Sequence, residues 1–542
     1  MGCGKSEGQG VQGGNGQIED LARDFCQNAW GRCLAMLNGL LRFRQESFAI
    51  FRNRPLAALR SRQPVCPEAA VGGSAWRVHA SQVRADRQGT GRVRFIPLSW
   101  EQPHMNAPAN GKAARRLERF KQLLIHVHEL LSLDFGFVLW DGSTVPTDLP
   151  SHALAIVFAD EGVVAAMQRR PTVDTLLNLW VTARIDIRNG VIFDFVPRQP
   201  GLRTKEIRRR LDKRLVLATA LRFLFVPRGG PWPLDAVPDQ KQRRDGSQRI
   251  NKDNVHYHYD LSNAFYALFL DPEMVYSCAY FRDWNHDLAT AQRDKLDIIC
   301  RKLRLKPGDR LLDIGCGWGA LVCHAARHYR VDAVGVTLAE EQFAYAKEKV
   351  ARLGLLDKVT IELRDYSLIE GAFDKIASIG MFEHVGVVNH SMYFRTIHRL
   401  LKPGGFYLHH SIALRSAAYE RRRSKRSQAT TAIGRYIFPG GELDHLGMSI
   451  ANLERHGFEV HDVEAWREHY ALTTRHWHDR LSANRAAAER EIGIVKTRLW
   501  IAYLAAASIG FARNSVGIFQ TLASARIRGP SGLPPSREQL YR

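Results

Sequence analysis

From about residue 309 the chain alternates short apolar runs with longer amphipathic ones. Leu311-Leu312-Asp313-Ile314, Val331 to Val336, Val359 to Leu363, Phe373 to Ile379 and Phe406 to Ile412 have the length and β-branched content of buried strands. Between them, Ala320 to Tyr329, Glu340 to Ala351 and residues 392–401 carry apolar residues at helical spacing. Strand and helix in alternation predict an α/β fold, a doubly wound parallel sheet of Rossmann-like type. The Lys402-Pro403-Gly404-Gly405 stretch predicts a turn between helix and fifth strand. Ligands of such sheets bind at the carboxyl ends of the strands, so Gly315, Thr337, Asp365, Glu383 and His410 are expected along one edge.

Upstream the pattern changes. Residues 113–233 read as a smaller mixed α+β domain, with an amphipathic stretch from Leu117 to Leu133 and a strand, Phe135 to Leu139, running into a Trp140-Asp141-Gly142-Ser143 hairpin turn. A strand from Ala153 to Phe158, a helix from Val173 to Val181 and a further strand at Ile185-Asp186-Ile187 follow. This domain shows no catalytic constellation and suits lipid presentation or dimerisation, making a homodimer an expectation. Residues 234–251, rich in Pro, Asp, Lys, Arg and Gln, read as a linker to a second domain at 252–530, with a tail at 531–542. Residues 1–112, Gly-rich and then Arg-rich, read as a disordered basic extension.

Charge changes the picture more than composition does. Lys plus Arg number 77 against 55 Asp plus Glu, a net +22, which points to a polyanionic partner, nucleic acid or an anionic membrane face. Clusters at Arg208 to Arg210 and at Arg421-Arg422-Arg423 with Lys425-Arg426 are candidates for that contact. No apolar run approaches the roughly 20 residues of a membrane span, and the longest, Ile501 to Phe511, suits a core helix, so membrane contact is expected to be peripheral. The eight cysteines show neither C-x-x-C pairs nor a disulfide framework, which fits reduced thiols in the cytoplasm, and no metal signature is present.

The candidate chemistry starts at Asp313-Ile314-Gly315-Cys316-Gly317-Trp318-Gly319, where a strand turns into a helix through alternating glycines. Glycine lets the backbone approach a ligand, and the helix N-terminus favours polar or anionic groups. A dinucleotide site would place its third glycine one residue later and an acidic residue after the second strand, where this chain has Thr337. Asp313, the compact G-x-G-x-G and the Leu-Lys-Pro-Gly-Gly turn resemble instead the class I S-adenosylmethionine-dependent methyltransferases, a Rossmann-like methyltransferase sheet.

Further motifs resemble one family within that class, the cyclopropane-fatty-acyl-phospholipid synthases and their mycolic-acid relatives. They are His258-Tyr259-Asp260-Leu261-Ser262-Asn263, Tyr276-Ser277-Cys278-Ala279-Tyr280-Phe281, Gly335-Val336-Thr337-Leu338 with Gln342, Gly380 to Gly386, His410-Ser411-Ile412, Tyr436 to Gly441, and Arg467-Glu468-His469-Tyr470 with Trp477. They span about residues 250 to 525 in the family's order. The resemblance implies methyl transfer from S-adenosyl-L-methionine to the cis double bond of a phospholipid acyl chain, with ring closure assisted by a bound bicarbonate. It assigns the bicarbonate to Cys278, Glu383, His410, the backbone of Ile412, and Tyr470. The cofactor falls to Tyr276, Ser277, Asp313, Gly315, Gly317, Gly319, Thr337, Gln342 and, at the adenine edge, Asp365. Aromatic faces that could stabilise a carbocation are Tyr259, Tyr276, Tyr280, Phe382 and Trp477. After Gly440-Gly441 the chain reads Glu442-Leu443-Asp444 where the family has proline at the third position, so a different local lid is expected.

The partner implied is an unsaturated phospholipid in an anionic bilayer, met peripherally from the cytoplasmic face of the cytoplasmic membrane. A related methyltransferase leaving a methyl branch or methylene group is the nearest alternative. An RNA methyltransferase would also explain the charge, but no RNA-binding motif is present, so no nucleic-acid partner is expected. A lipid-binding protein without activity would have no reason to keep Cys278, Glu383, His410 and Tyr470.

Overall fold

The computed structural model describes residues 111–198, 204–237, 261–416 and 434–541, with single positions 419 and 432. Residues 1–110 of the basic extension, the stretch 238–251 of the expected linker, His258 to Asp260 and the Arg421 to Arg426 cluster lie outside the described residues, whereas Gly111 and Lys112, expected in the disordered extension, begin a helix.

The first sheet has the order β2-β1-β3-β4, built from β1 Gly136–Val138, β2 Thr144–Val145, β3 Ala155–Phe158 and β4 Ile185–Arg188. β1 and β2 form the expected hairpin, with Gly142 at φ 83° and the Asp141 carboxylate accepting the Ser143 N–H at 3.0 Å. Helix α1, Gly111–Leu131, covers this sheet through Leu117, Phe120 and Leu124, which share an apolar cluster with Phe137 and Val145. α2, Gly162–Arg169, α3, Val173–Val181, α4, Thr204–Arg210, and α5, Lys213–Phe223, complete this part.

The second sheet carries the site. Its strands are β5 Arg310–Ile314, β6 Asp332–Thr337, β7 Val359–Leu363, β8 Phe373–Ile379, β9 Leu401–Leu414, β10 Phe458–Ala465 and β11 Val516–Ala525, in the order β10-β11-β9-β8-β5-β6-β7. β5 to β9 pair in parallel, and β11 and β10 add an antiparallel edge. Alternation sorts the side chains into two cores. Leu311, Ala333, Ala377, Leu408 and Leu522 meet α6 Leu288–Lys302, α7 Ala320–Tyr329 and α8 Glu340–Arg352 on one face, through Ile299, Val322 and Val350. Their neighbours Leu312, Ile376, Tyr407 and Ala523 meet α9 His390–Leu400 and α10 Leu446–Arg455 on the other, through Ile397 and Leu453. Strand order reverses between β5 and β8, the place where such sheets open a crevice.

Two expectations change. Residues 402–405 are not a turn before the fifth strand but an irregularity within β9, where Gly404 has φ 72° and the register with β8 shifts. The apolar run at 501–511 belongs to a longer helix. α11 Arg467–Ala483, α12 Arg485–Ile492 and α13 Ile494–Ala512 close the domain, and α13 is long and apolar enough by length and composition to cross a membrane. In the fold its Trp500, Leu504 and Phe511 are buried in protein.

α13 also ties the two sheets together. Arg498, only 1% exposed, donates from Nε to Trp180 O at 2.6 Å and pairs with Asp186 at 3.2 Å, its guanidinium 4.3 Å from the Trp180 ring centroid. Trp180 returns a bond from Nε1 to Arg498 O at 2.9 Å.

Candidate active site

The glycine turn after β5 takes the conformation its residues allow. Gly315, Gly317 and Gly319 all have positive φ, and a Cβ on Gly315 would lie 2.8 Å from Met381 at the end of β8. The turn opens onto a cavity lined by Tyr276, Ser277, Asp313, Gly315, Gly317, Thr337, Gln342 and Asp365. Gly319 does not line it. It begins α7 at φ 79° and lies against Ala346, where a Cβ would sit at 3.2 Å, so it serves helix packing. The Thr337 hydroxyl donates to Gln342 Oε1 at 3.0 Å and accepts the Ala339 N–H, fixing both side chains at the cavity wall. Asp365 Oδ1 accepts the Ser367 N–H at 2.8 Å.

One residue the motifs missed stands on the cavity floor. Lys295 on α6, 3% exposed, donates from Nζ to Ser277 Oγ at 2.8 Å, and Gln292 one turn earlier donates to Ser277 O at 2.9 Å and Val275 O at 3.3 Å. α6 therefore pins the segment that forms one cavity wall. Burial lowers the Lys295 ammonium to about 8 and raises the Asp313 carboxyl to about 7, each opposed by the other's charge. Asp313 Oδ1 has no hydrogen-bond partner. A methionine arm carries one ammonium and one carboxylate, and a buried cation with an orphaned carboxylate oxygen is a donor set that fits it. A sequence signal existed: Gln292 and Lys295 interrupt the buried stripe of Leu288, Ala291, Leu296 and Ile299.

Cys278, Glu383, His410, Ile412 and Tyr470 lie outside the cavity lining. This corrects the expectation of one shared edge: β9 continues four residues past His410, which is therefore not at a strand end. They nevertheless converge. Cys278, Trp466 and Phe511 form an apolar cluster against which Ile412 and Tyr470 pack. The Cys278 thiol lies 3.3 Å from Ala279 O and 3.8 Å from Trp466 O, the Tyr470 ring 4.6 Å from that of Phe511, and the His410 ring edge-on to Trp466 at 5.3 Å. Glu383, in a turn after β8, accepts the Ile412 N–H through Oε1 at 2.6 Å. That N–H is thus spent on Glu383, where the resemblance had it facing the bicarbonate.

What remains unpaired is informative. Glu383 Oε2 and both His410 ring nitrogens are buried without a hydrogen-bond partner. His409 is the opposite case, bonded at Nδ1 to the Tyr407 hydroxyl at 2.9 Å and at Nε2 to Ser411 at 3.1 Å. Burial pushes Glu383 up to about 7, with the Asp444 charge adding to it. Burial drives His410 well down and Cys278 well up, so the imidazole is neutral and the sulfur a thiol. The set offers thiol, tyrosine and imidazole donors around one carboxylate acceptor, which fits a small oxyanion carrying one proton.

The aromatic expectations divide. Tyr276 and Trp477 lie 5.0 Å apart in one aromatic cluster, and Tyr280 lies 4.9 Å from Trp466. Phe382 points elsewhere, into the opposite core against His390 and Tyr393, and Tyr259 lies outside the described residues. Where the family has proline, Asp444 is 2% exposed and accepts the Ser449 hydroxyl at 2.6 Å, while Glu442 accepts the Val387 N–H at 3.0 Å.

A family profile described as mycolic acid cyclopropane synthetase matches residues 246–521. The Pseudomonas putida probable fatty acid methyltransferase is 42% identical over 304 residues, 56% of this chain and 76% of that protein. Cyclopropane-fatty-acyl-phospholipid synthase of Escherichia coli K12 is 38% identical over 269 residues, 49% of this chain and 66% of that protein. Among solved structures, mycolic acid cyclopropane synthase CmaA1 complexed with SAH and CTAB aligns at 34% identity and a TM-score of 0.48, over 50% of this chain and 98% of its own. The match across half the chain, over residues that build both the glycine-loop cavity and the cluster around Trp466, places the protein in the mycolic acid cyclopropane synthetase family, as an S-adenosylmethionine-dependent methyltransferase.

Proposed function

We propose that the protein methylenates the cis double bond of an unsaturated phospholipid acyl chain, closing a cyclopropane ring with a bicarbonate held as base. The observation that carries this is the pair of buried side chains with unpaired polar atoms, Glu383 Oε2 and the two His410 nitrogens, next to the apolar cluster of Cys278, Trp466 and Phe511 through Ile412 and Trp466. S-adenosylmethionine supplies an electrophilic methyl group. The alkene π electrons bond to that carbon as the carbon–sulfur bond breaks, leaving a cation on the chain. A proton then leaves the new methyl group and its C–H electron pair closes the ring. This chain's residues hold the acceptor of that proton: Cys278, Tyr470 and His410 donate to it, and the Glu383 carboxylate orients it and relays the proton. Tyr276, which lines the cofactor cavity, packs against Trp477 at 5.0 Å, and its aromatic face is the one that would meet positive charge there.

A second reading has one specific observation behind it. Relatives at 42% and 35% identity are named as a probable fatty acid methyltransferase and a tuberculostearic acid methyltransferase. The same site would then yield a branched or methylene chain. Incubating the protein with liposomes of unsaturated phospholipid and labelled S-adenosylmethionine, followed by mass spectrometry of the acyl chains, decides. A product one CH₂ heavier with no double bond and ring-specific fragmentation supports cyclopropanation; a methyl branch supports the second reading, and unmodified lipid contradicts both.

A further inference from the structure

The end of α5 presents an apolar surface that is not covered among the described residues. Phe225 is 89% exposed, Leu221 51% and Leu224 40%. Helical phase fixes the outward direction of Leu221, while Leu224 and Phe225 stand exposed in the turn that ends the helix. Val216, Ala220 and Phe223 fill the inner face, Val226 is buried just beyond, and Phe223 and Val226 belong to the core under the first sheet. Phe225 lies between the buried Phe223 and Val226, whose inward anchoring leaves it on the outside.

The rim of this patch is basic. Arg169 donates from Nη2 to the carbonyls of Leu224 at 2.7 Å and Val226 at 2.6 Å, which places its charge at the base of the patch. Arg222 lies within it, exposed and without an ion pair among the described residues. Arg228 stacks on Trp232 at 4.6 Å, its nearest carboxylate, Asp235, being 3.8 Å away. Exposed aromatic and aliphatic side chains ringed by arginine are what an anionic bilayer interface takes up, apolar groups entering the acyl boundary and guanidinium groups meeting headgroup phosphates. The combination of exposed apolar side chains with arginine charge is the complement of an anionic lipid surface.

We infer that the Leu221, Leu224 and Phe225 patch, with Arg169, Arg222 and Arg228, docks the protein on anionic phospholipid bilayers. This extends the proposed function, since a lipid substrate resides in such a surface. The test is co-sedimentation of the full chain with vesicles of unsaturated phosphatidylglycerol or phosphatidylcholine, alongside turnover on the same lipid dispersed in detergent. Wild type should sediment with phosphatidylglycerol vesicles, less at high salt and less with phosphatidylcholine. Phe225→Glu should lower the apparent affinity by about tenfold or more, the value of one buried aromatic side chain. Its turnover on detergent-dispersed lipid and its thermal unfolding should not change. Arg222→Gln with Arg228→Gln should remove the preference for the anionic lipid. Wild type that stays in solution, or Phe225→Glu that binds as wild type does, overturns the inference. A dimer that becomes monomeric on Phe225→Glu while vesicle binding persists also overturns it, giving the patch to a second copy. Absence of turnover on detergent-dispersed lipid would count against the proposed function alone.

Discussion

His409 and His410 are adjacent in sequence and face opposite sides of β9. One is spent on tyrosine and serine hydroxyls, whereas the other has two buried nitrogens and nothing to bond, an arrangement that costs stability unless a ligand satisfies it. Glu383 shares that condition, and its carboxyl at about 7 gives a pH prediction. Proton relay needs the ionised form, so turnover should rise as pH climbs through about 7. The folding linkage runs the other way: a carboxyl raised from 4.5 adds stability below its ordinary value and loses it as pH rises through about 7. Glu383→Gln should lower turnover at least about 100-fold and abolish that pH limb, while calorimetry shows S-adenosylmethionine binding unchanged. An intact limb would remove Glu383 from the reaction. At the cavity floor, Lys295→Met should weaken S-adenosylmethionine binding by about tenfold or more but leave a decarboxylated analogue nearly unaffected. Equal losses for both ligands would reduce Lys295 to a structural support of Ser277. Sequence motifs pointed to the residues now found at both constellations, yet they could not separate His409 from His410, because strand alternation fixes the face and only packing decides which face has partners. Lys295 was missed because it sits among buried apolar residues of α6, outside any motif.

At the level of elements, the five parallel strands and the helices between them were legible because buried strands leave uninterrupted apolar runs. β10 and β11 were not. β10 alternates exposed Glu459 and Val463 with buried Phe458 and Asp462, a weak period at a sheet edge, and β11 reads Gln520-Thr521 in mid-strand. Those two polar residues are buried, and Gln520 accepts from the Lys302 ammonium at 2.7 Å, a pairing that only the folded sheet brings about. The Lys402 to Gly405 stretch misled for a related reason: proline and glycine announce an irregularity, and a strand can absorb one as well as a turn can. The contact of α13 with α3 and β4 was equally invisible, since Arg498 and Trp180 are 318 residues apart. Arg498→Met should cost about 3 kcal/mol in unfolding by denaturant, because it removes the buried guanidinium that pairs with Asp186 Oδ2 and bonds the carbonyls of Trp180 and Ile185. A change within experimental error would show that this junction contributes little.

For the molecule as a whole, two sites with different chemistry stand side by side. The cavity at the β5–β8 switch point has positive-φ glycines, the Lys295 ammonium held on Ser277 and the Asp313 carboxylate with an unpartnered oxygen, a set suited to a zwitterionic cofactor. The cluster around Trp466 has neutral donors and one carboxylate, suited to taking a proton away from the transferred carbon. Fold alone would supply the first. The second makes the specific claim, that a base acts on the methyl group after transfer. The most direct test supplies S-adenosylmethionine trideuterated in its methyl group to the protein with liposomes of unsaturated phospholipid, and weighs the acyl product. Retention of two deuterium atoms in a saturated, ring-containing chain is the predicted result; a product that keeps all three, in a methyl branch, would contradict the account.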